Sequence, residues 1–245
     1  IIFEKTSKLL NSNIIVAKQS SKKIIENIKK TIINNKSNKY FFGEDYSFSS
    51  GENDFFYYED KFGGIKLPRP NVHGQFQLEN ISTAIATLRI IKQLNTNDMC
   101  MKSGITKIPS IARLQEITEG KLKNLVKDNR LLLDGSHNPL GAKVLNNYLE
   151  SLDCDKHIII GMMANKDHQK YMSYFKNIKT LITIDIPNQP GSIKGKELKA
   201  KLDGYDNVQY KENIFEAIKS ISVNKNDLIL ITGSLYLAGE VLNLN

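Results

Sequence analysis

From residue 113 onward, short apolar runs alternate with stretches whose apolar residues recur every three or four positions. A hairpin with Gly120 at its turn is expected first. Strands are then predicted at 130–134, 157–162, 180–186, 207–210 and 227–232, followed in turn by helices at 139–152, 167–177, 194–202 and 213–221 and by a last helix at the C-terminal end. Strands alternating with helices of about ten residues imply a mainly parallel, doubly wound sheet, so the expected fold class is α/β with a Rossmann-like sheet.

Residues 1–108 are less regular. An apolar strand at 13–17 precedes a lysine-rich helix at about 20–35, where Ile24, Ile25, Ile28 and Ile32 stand at helical spacing opposite a solvated face. A short strand at 40–42 and a β-hairpin within 47–67, with arms at 54–59 and 64–67, come next. Residues 68–75 read as a loop and 77–93 as a helix. The segment 95–112 carries breakers including Gly104 and Pro109, which predicts a boundary between a domain at 1–108 and another at 109–245.

Composition changes this picture little. The chain has 245 residues, 40% hydrophobic and 24% charged, ordinary for a globular protein and enough for a sizeable core. No apolar run approaches the roughly 20 residues that span a bilayer, and no signal peptide is apparent. Cys100 and Cys154 form no metal or redox spacing; they read as buried small hydrophobes in a reducing cytoplasm. The net charge is +8, yet arginine occurs only at positions 69, 89, 113 and 130, and no aromatic-plus-basic pattern of nucleic-acid binding appears. The excess of Lys, Asn and Ile reads as a compositional bias of the source, and an anionic small substrate fits the charge equally well. The sequence opens Ile-Ile-Phe-Glu-Lys, inside what reads as a helix, so further chain is expected upstream.

Candidate chemistry concentrates at 131–139, Leu-Leu-Leu-Asp-Gly-Ser-His-Asn-Pro. An apolar run ends in an acid, turns, and restarts at a proline suited to the first position of a helix, with Asn138 as N-cap. Asp134 and His137 then sit at the carboxyl end of a strand beside a helix N-terminus, where open α/β sheets bind anionic ligands. The pattern recurs at 158–168 and 228–242. If the strands are parallel, Asp134, His137, Lys166, Asp167 and Ser234 gather on one sheet edge.

Several of these segments together resemble the folylpolyglutamate synthase/dihydrofolate synthase family, ATP-dependent amide ligases of the Mur ligase type. Ile2 to Lys5 is similar to Ile-Ala-x-Glu-Lys; Gly74-x-Phe76-Gln77-x-x-Asn80 to Gly-x-His-Gln-x-x-Asn; and Ala112-Arg113-Leu114-Gln115 to Gly-Arg-Leu-Gln. Asp134-Gly-Ser-His137-Asn138-Pro139 is close to Asp-Gly-Ala-His-Asn-Pro, Lys166-Asp167 follows a strand as Asp-Lys-Asp does, and Gly233-Ser-Leu-Tyr fits Gly-Ser-Leu-Tyr. The resemblance implies that a folate or dihydropteroate carboxylate is activated by ATP and Mg²⁺ as an acyl phosphate, which the amine of L-glutamate attacks. It implies nucleotide contacts from Asn80, Arg113 and Asp134. It implies L-glutamate contacts from His137 and Ser234, with Asp134 near the ammonium group, and a carbamylated lysine at Lys5 that serves a metal site. A guanidinium at Arg113 suits phosphate oxygens. Lys166 and Asp167 either act near the domain interface or cap the next helix, and Tyr236 is expected to pack in the core.

No Gly-x-x-x-x-Gly-Lys-[Ser/Thr] loop occurs in the 245 residues. The resemblance therefore implies a remnant of the P-loop ATPase (Mur ligase central) domain at 1–108, joined to a Mur ligase C-terminal, glutamate-binding domain at 109–245. Such a monomer would not form an acyl phosphate alone and would contribute no metal site of its own. A truncated or split ligase, or one working with a separate P-loop segment, stays open. So do another Mur-type amide ligase and a non-catalytic nucleotide- or glutamate-binding module.

Overall fold

A computed structural model describes residues 12–34, 36–51, 54–70, 75–202, 204–205 and 207–245. The chain divides into two compact units, Ile1–Pro109 and Ser110–Asn245.

In the first unit, β1 (Ile14–Val16) pairs in parallel with β2 (Lys39–Phe41), with α1 (Lys22–Thr31) between them in sequence. Ser21 caps α1 and accepts from the Ile24 N–H. Ile25 and Ile28 pack on the small cluster of Ile14, Val16, Ile32 and Phe41, while Lys22, Lys23 and Lys30 face water and Lys29 pairs with Glu44. The segment expected as one hairpin is a three-stranded antiparallel sheet, β3 (Tyr46–Ser50), β4 (Phe55–Asp60) and β5 (Gly63–Pro68). Its alternation buries Phe56, Tyr58, Ile65 and Leu67 against α2 (Gln75–Ile90) and α3 (Asp98–Thr106). Helix α3 falls where only breakers were expected. Asn97 caps it and accepts from the Cys100 N–H, and Met101 and Ile105 fill the core, so two apolar anchors outweigh Gly104. Cys100 is exposed and Cys154 half-buried, both free, which corrects the reading of both as core residues.

In the second unit, six strands form one sheet in the order β10-β9-β8-β11-β7-β6. Five are parallel: β7 (Arg130–Asp134), β8 (Lys156–Ile160), β9 (Ile178–Ile184), β10 (Val208–Lys211) and β11 (Leu228–Thr232). The short β6 (Gln115–Glu116) pairs antiparallel with β7. The β6–β7 connection is not the plain hairpin expected from Gly120. A short helix, α4 (Lys121–Val126), fills it, and Gly120 is its cap at φ +102°.

Successive residues of each central strand feed opposite cores. Leu132, Ile158, Ile160, Leu228 and Leu230 pack under α5 (Pro139–Glu150), α6 (His168–Met172) and α7 (Gly195–Lys201). Leu131, Leu133, Ile159, Ile229 and Ile231 pack under α4, α8 (Ile214–Ser220) and α9 (Leu235–Leu244). Both faces are covered, so the strands read as unbroken apolar runs. Strands β7 and β8 lead into helices on one face, whereas β11, lying between them, leads into a helix on the other. Such a reversal opens a crevice at the carboxyl ends of the strands.

Candidate functional site

The three carboxyl ends that meet at this reversal are in register: Thr232 lies opposite Asp134 on one side and Ile160 on the other. Asp134 is only 9% exposed. Its Oδ2 accepts from the Leu114 N–H and its Oδ1 from the Ser136 N–H, each at 2.9 Å. The Gly135 N–H donates in turn to the Ala112 carbonyl at 2.8 Å.

Three hydroxyls meet beside this acid, at the carboxyl ends of β7 and β11. Tyr171 on α6, fully buried, lies 2.9 Å from Ser136 Oγ and 2.8 Å from Thr232 Oγ1. Burial pushes the Tyr171 hydroxyl well above its ordinary value, and its hydrogen bonds with Ser136 and Thr232 only partly oppose that, so it remains a neutral bridge. This cluster escaped the sequence reading of the site. Thr232 ending an apolar run, and Ser136 inside the Asp-Gly-Ser-His segment, were its only signals.

His137 is half-buried, with Nδ1 3.1 Å from the Gly135 carbonyl. A carbonyl can only accept, so Nδ1 carries a proton and Nε2 is left to face a ligand. Asn138 caps α5, accepting from the Gly141 N–H at 2.9 Å, and Pro139 begins the helix. Ser234 is 2% exposed and caps α9 through the Tyr236 N–H at 3.1 Å. Gly233 precedes it at φ +105°, and an added Cβ would lie 2.7 Å from the Gly161 carbonyl, so only glycine lets β11 turn so closely over the end of β8.

The Arg113 side chain is exposed and makes no hydrogen bond or ion pair among the described residues, while its N–H donates to the Ser110 carbonyl at 3.1 Å. Lys166 and Asp167 also follow the carboxyl end of β8, but Asp167 caps α6 through the Lys170 N–H. Tyr236 is 55% exposed on the first turn of α9, correcting its assignment to the core: Leu237, Ala238 and Val241 supply that packing. Asn80 lies exposed on α2 in the first unit, where its amide donates to Gln77 Oε1 at 3.4 Å. Lys5 falls outside the described residues. Among the described residues there is no group of three or more His, Cys, Asp or Glu that could hold a metal ion.

Comparisons with known proteins agree with this architecture. Residues 116–235 match the family model described as Mur ligase, glutamate ligase domain. That match covers most of the second unit, and the sheet topology agrees with it. More particularly, the chain resembles the C-terminal half of folylpolyglutamate synthase. The folylpolyglutamate synthase of Mycobacterium tuberculosis, complexed with ADP and AMPPCP, superposes with a TM-score of 0.75 at 17% identity over 94% of this chain and 54% of its own. The Thermotoga maritima enzyme gives 0.71 at 20% identity over 99% and 56%. Escherichia coli FolC in complex with ADP gives 0.70 at 21% identity over 89% and 50%. The chain thus spans about half the length of these solved relatives. No curated protein matches the sequence.

Proposed function

We propose that this chain supplies the glutamate-presenting part of an ATP-dependent ligase that adds L-glutamate to folate or dihydropteroate. In that reaction a carboxylate oxygen takes the γ-phosphoryl group of ATP and ADP leaves. The glutamate amine then attacks the acyl carbon and phosphate leaves. The observation that supports this reading best is the crevice where β7, β11 and β8 end, with an unpartnered guanidinium and an open imidazole nitrogen on the same sheet edge.

Arg113 is permanently charged and planar, suited to the phosphate oxygens of the nucleotide. His137 offers its free Nε2 to the glutamate, and the N-terminus of α5 beside it favours the carboxylate. Ser234 keeps its hydroxyl proton for a second carboxylate oxygen while its lone pair caps α9. Asn80, from the first unit, is assigned to the nucleotide, and Lys5 to the metal site by resemblance alone. We read the first unit as part of the ATPase domain and the second as the glutamate-binding domain. Both act in the reducing cytoplasm, in line with two free cysteines.

The 245 residues contain no P-loop signature, so the grip on the triphosphate is assigned to none of them. Ligand binding without turnover is therefore expected of this chain by itself. Calorimetry tests this: L-glutamate should bind the protein, and His137→Ala should weaken that binding about tenfold or more. Absence of L-glutamate binding at millimolar concentration overturns the reading. Relatives solved with Mn, AMPPNP and L-glutamate or with DHPP and ADP suggest the probes to use.

A further inference from the structure

A phenylalanine stands at the tip of the β4–β5 hairpin, where turns ordinarily carry small polar residues. Asp60 pairs with Gly63, so Lys61 and Phe62 form the loop, and Gly63 takes the positive φ of the turn at +108°. Phe62 is 52% exposed, yet it is held in place. Its N–H donates to Asp60 Oδ1 at 2.8 Å. The other oxygen of Asp60 accepts from the Tyr58 hydroxyl at 3.0 Å and pairs with Arg89 Nε at 3.3 Å. The Arg89 guanidinium lies 5.7 Å from the centre of the Phe62 ring. The Tyr58, Asp60 and Arg89 side chains are largely buried, so the exposed ring rests on a rigid mount.

The Lys61 ammonium lies 5.1 Å from the centre of the Phe62 ring and 4.9 Å from that of Tyr40 on β2. These three side chains line an open cavity of about 470 Å³, within the range of small-molecule sites. Ile90, at the end of α2, and the amides of Asn13, Asn38 and Gln93 complete the lining, and no acid belongs to it. Asn38 is committed to Asn13 at 3.2 Å. Lys61 touches the Tyr40 hydroxyl at 3.5 Å but forms no ion pair among the described residues, and the Gln93 amide forms no hydrogen bond among them. Aromatic walls, one uncompensated cation and one free amide suit a flat ring that carries an acid.

The place is separate from the residues assigned to the nucleotide above. Asn13 and Asn38 immediately precede β1 and β2, so the cavity lies at the amino ends of these parallel strands, whereas open α/β sheets bind ligands at the carboxyl ends. Asn80 is about 15 Å from Ile90 along α2.

We propose that this cavity binds a planar heteroaromatic acid: the ring stacks on Phe62, the carboxylate or phosphate pairs with Lys61, and the Gln93 amide reads the ring edge. The site does not depend on the glutamate-presenting role proposed above. A nucleotide and a pteridine acid share this chemistry, so AMP and pteroate are the probes that separate the two sources.

Amide NMR titration of the whole chain should show at least one probe moving the signals of Tyr40, Phe62, Gly63 and Gln93. In calorimetry, Phe62→Ala and Lys61→Ala should each weaken the tighter probe about tenfold, while Lys61→Arg retains it. Thermal midpoints should hold, because both side chains are exposed at a hairpin tip. The probe that binds more tightly identifies the source. Failure of both probes to bind at millimolar concentration overturns the proposal. So does binding that both alanine variants leave intact, or movement confined to amides of the second unit.

Discussion

The phenolic oxygen of Tyr171 lies 2.8 Å from Thr232 Oγ1, tying α6 to the carboxyl end of β11. Because the same oxygen is 2.9 Å from Ser136 Oγ, one buried hydroxyl joins the end of β11 to the turn that follows β7. Tyr171→Phe keeps the ring among its neighbours and removes both bonds. The hydroxyls left behind lose a buried partner, so unfolding free energy should fall by about 1–3 kcal/mol. Urea denaturation reads this directly. A change below about 0.5 kcal/mol would mean that the three hydroxyls contribute no more than their contacts with water.

His137 carries a different expectation. Its ring is half-buried and spends one nitrogen on the Gly135 carbonyl, so little of the fold depends on it. His137→Ala should leave the thermal midpoint nearly unchanged and weaken L-glutamate binding about tenfold or more, the scale of one charge-assisted hydrogen bond. Calorimetry beside thermal melts separates these effects.

Gly233 is the least replaceable residue of the site. An alanine there meets φ +105° and a Cβ 2.7 Å from the Gly161 carbonyl, 2.8 Å from Ile160 Cγ1 and 2.9 Å from Met162 Cγ. Neither backbone can withdraw without opening β8 or β11. Gly233→Ala should cost about 3 kcal/mol or more. Gly239→Ala, in α9 with no heavy atom within 4 Å of the new Cβ, is the matched control and should be neutral or slightly stabilising.

The opposite edge of the sheet predicts acid sensitivity. His157, fully buried, holds Nε2 3.1 Å from Asp227 Oδ2, which also accepts from the Asn224 N–H at 2.7 Å. Desolvation raises the Asp227 carboxyl, but the Asn224 N–H, His157 and Lys179 together outweigh it and hold the carboxyl below its ordinary value. A carboxylate whose folded pKa is depressed stabilises the fold fully above the unfolded value, near 4, and loses that contribution as pH falls through the folded value. Melts recorded from pH 6 to 3 should decline below about pH 4, and Asp227→Asn should flatten that limb while lowering stability near neutrality. His157 Nδ1 has no partner among the described residues, so the pair has no spare bond to absorb the change.

The strands and helices of the second unit were legible because each apolar run is short, is bounded by turn residues, and is followed by helical spacing. The Asn138–Pro139 helix start needed no tertiary information, since cap and first-turn preferences act within four residues. Helix α3 was missed because its apolar anchors, Met101 and Ile105, only outweigh Gly104 once the antiparallel sheet is there to receive them. Tyr236 misled for a related reason: an aromatic residue on an apolar helix reads as core until the helix has a defined buried face.

Local order along the chain determined the α/β alternation and which residues end the strands, because backbone propensity and hydrophobic periodicity are short-range. The placing of β11 between β7 and β8, which brings Asp134 and Thr232 side by side across 98 residues of sequence, was decided by the tertiary fold. So was the left-handed backbone at Ala112 and Leu114, φ +50° and +51°, on either side of Arg113. Both depend on burying two apolar faces at once and satisfying every amide between them, conditions that exist only when distant segments are in contact.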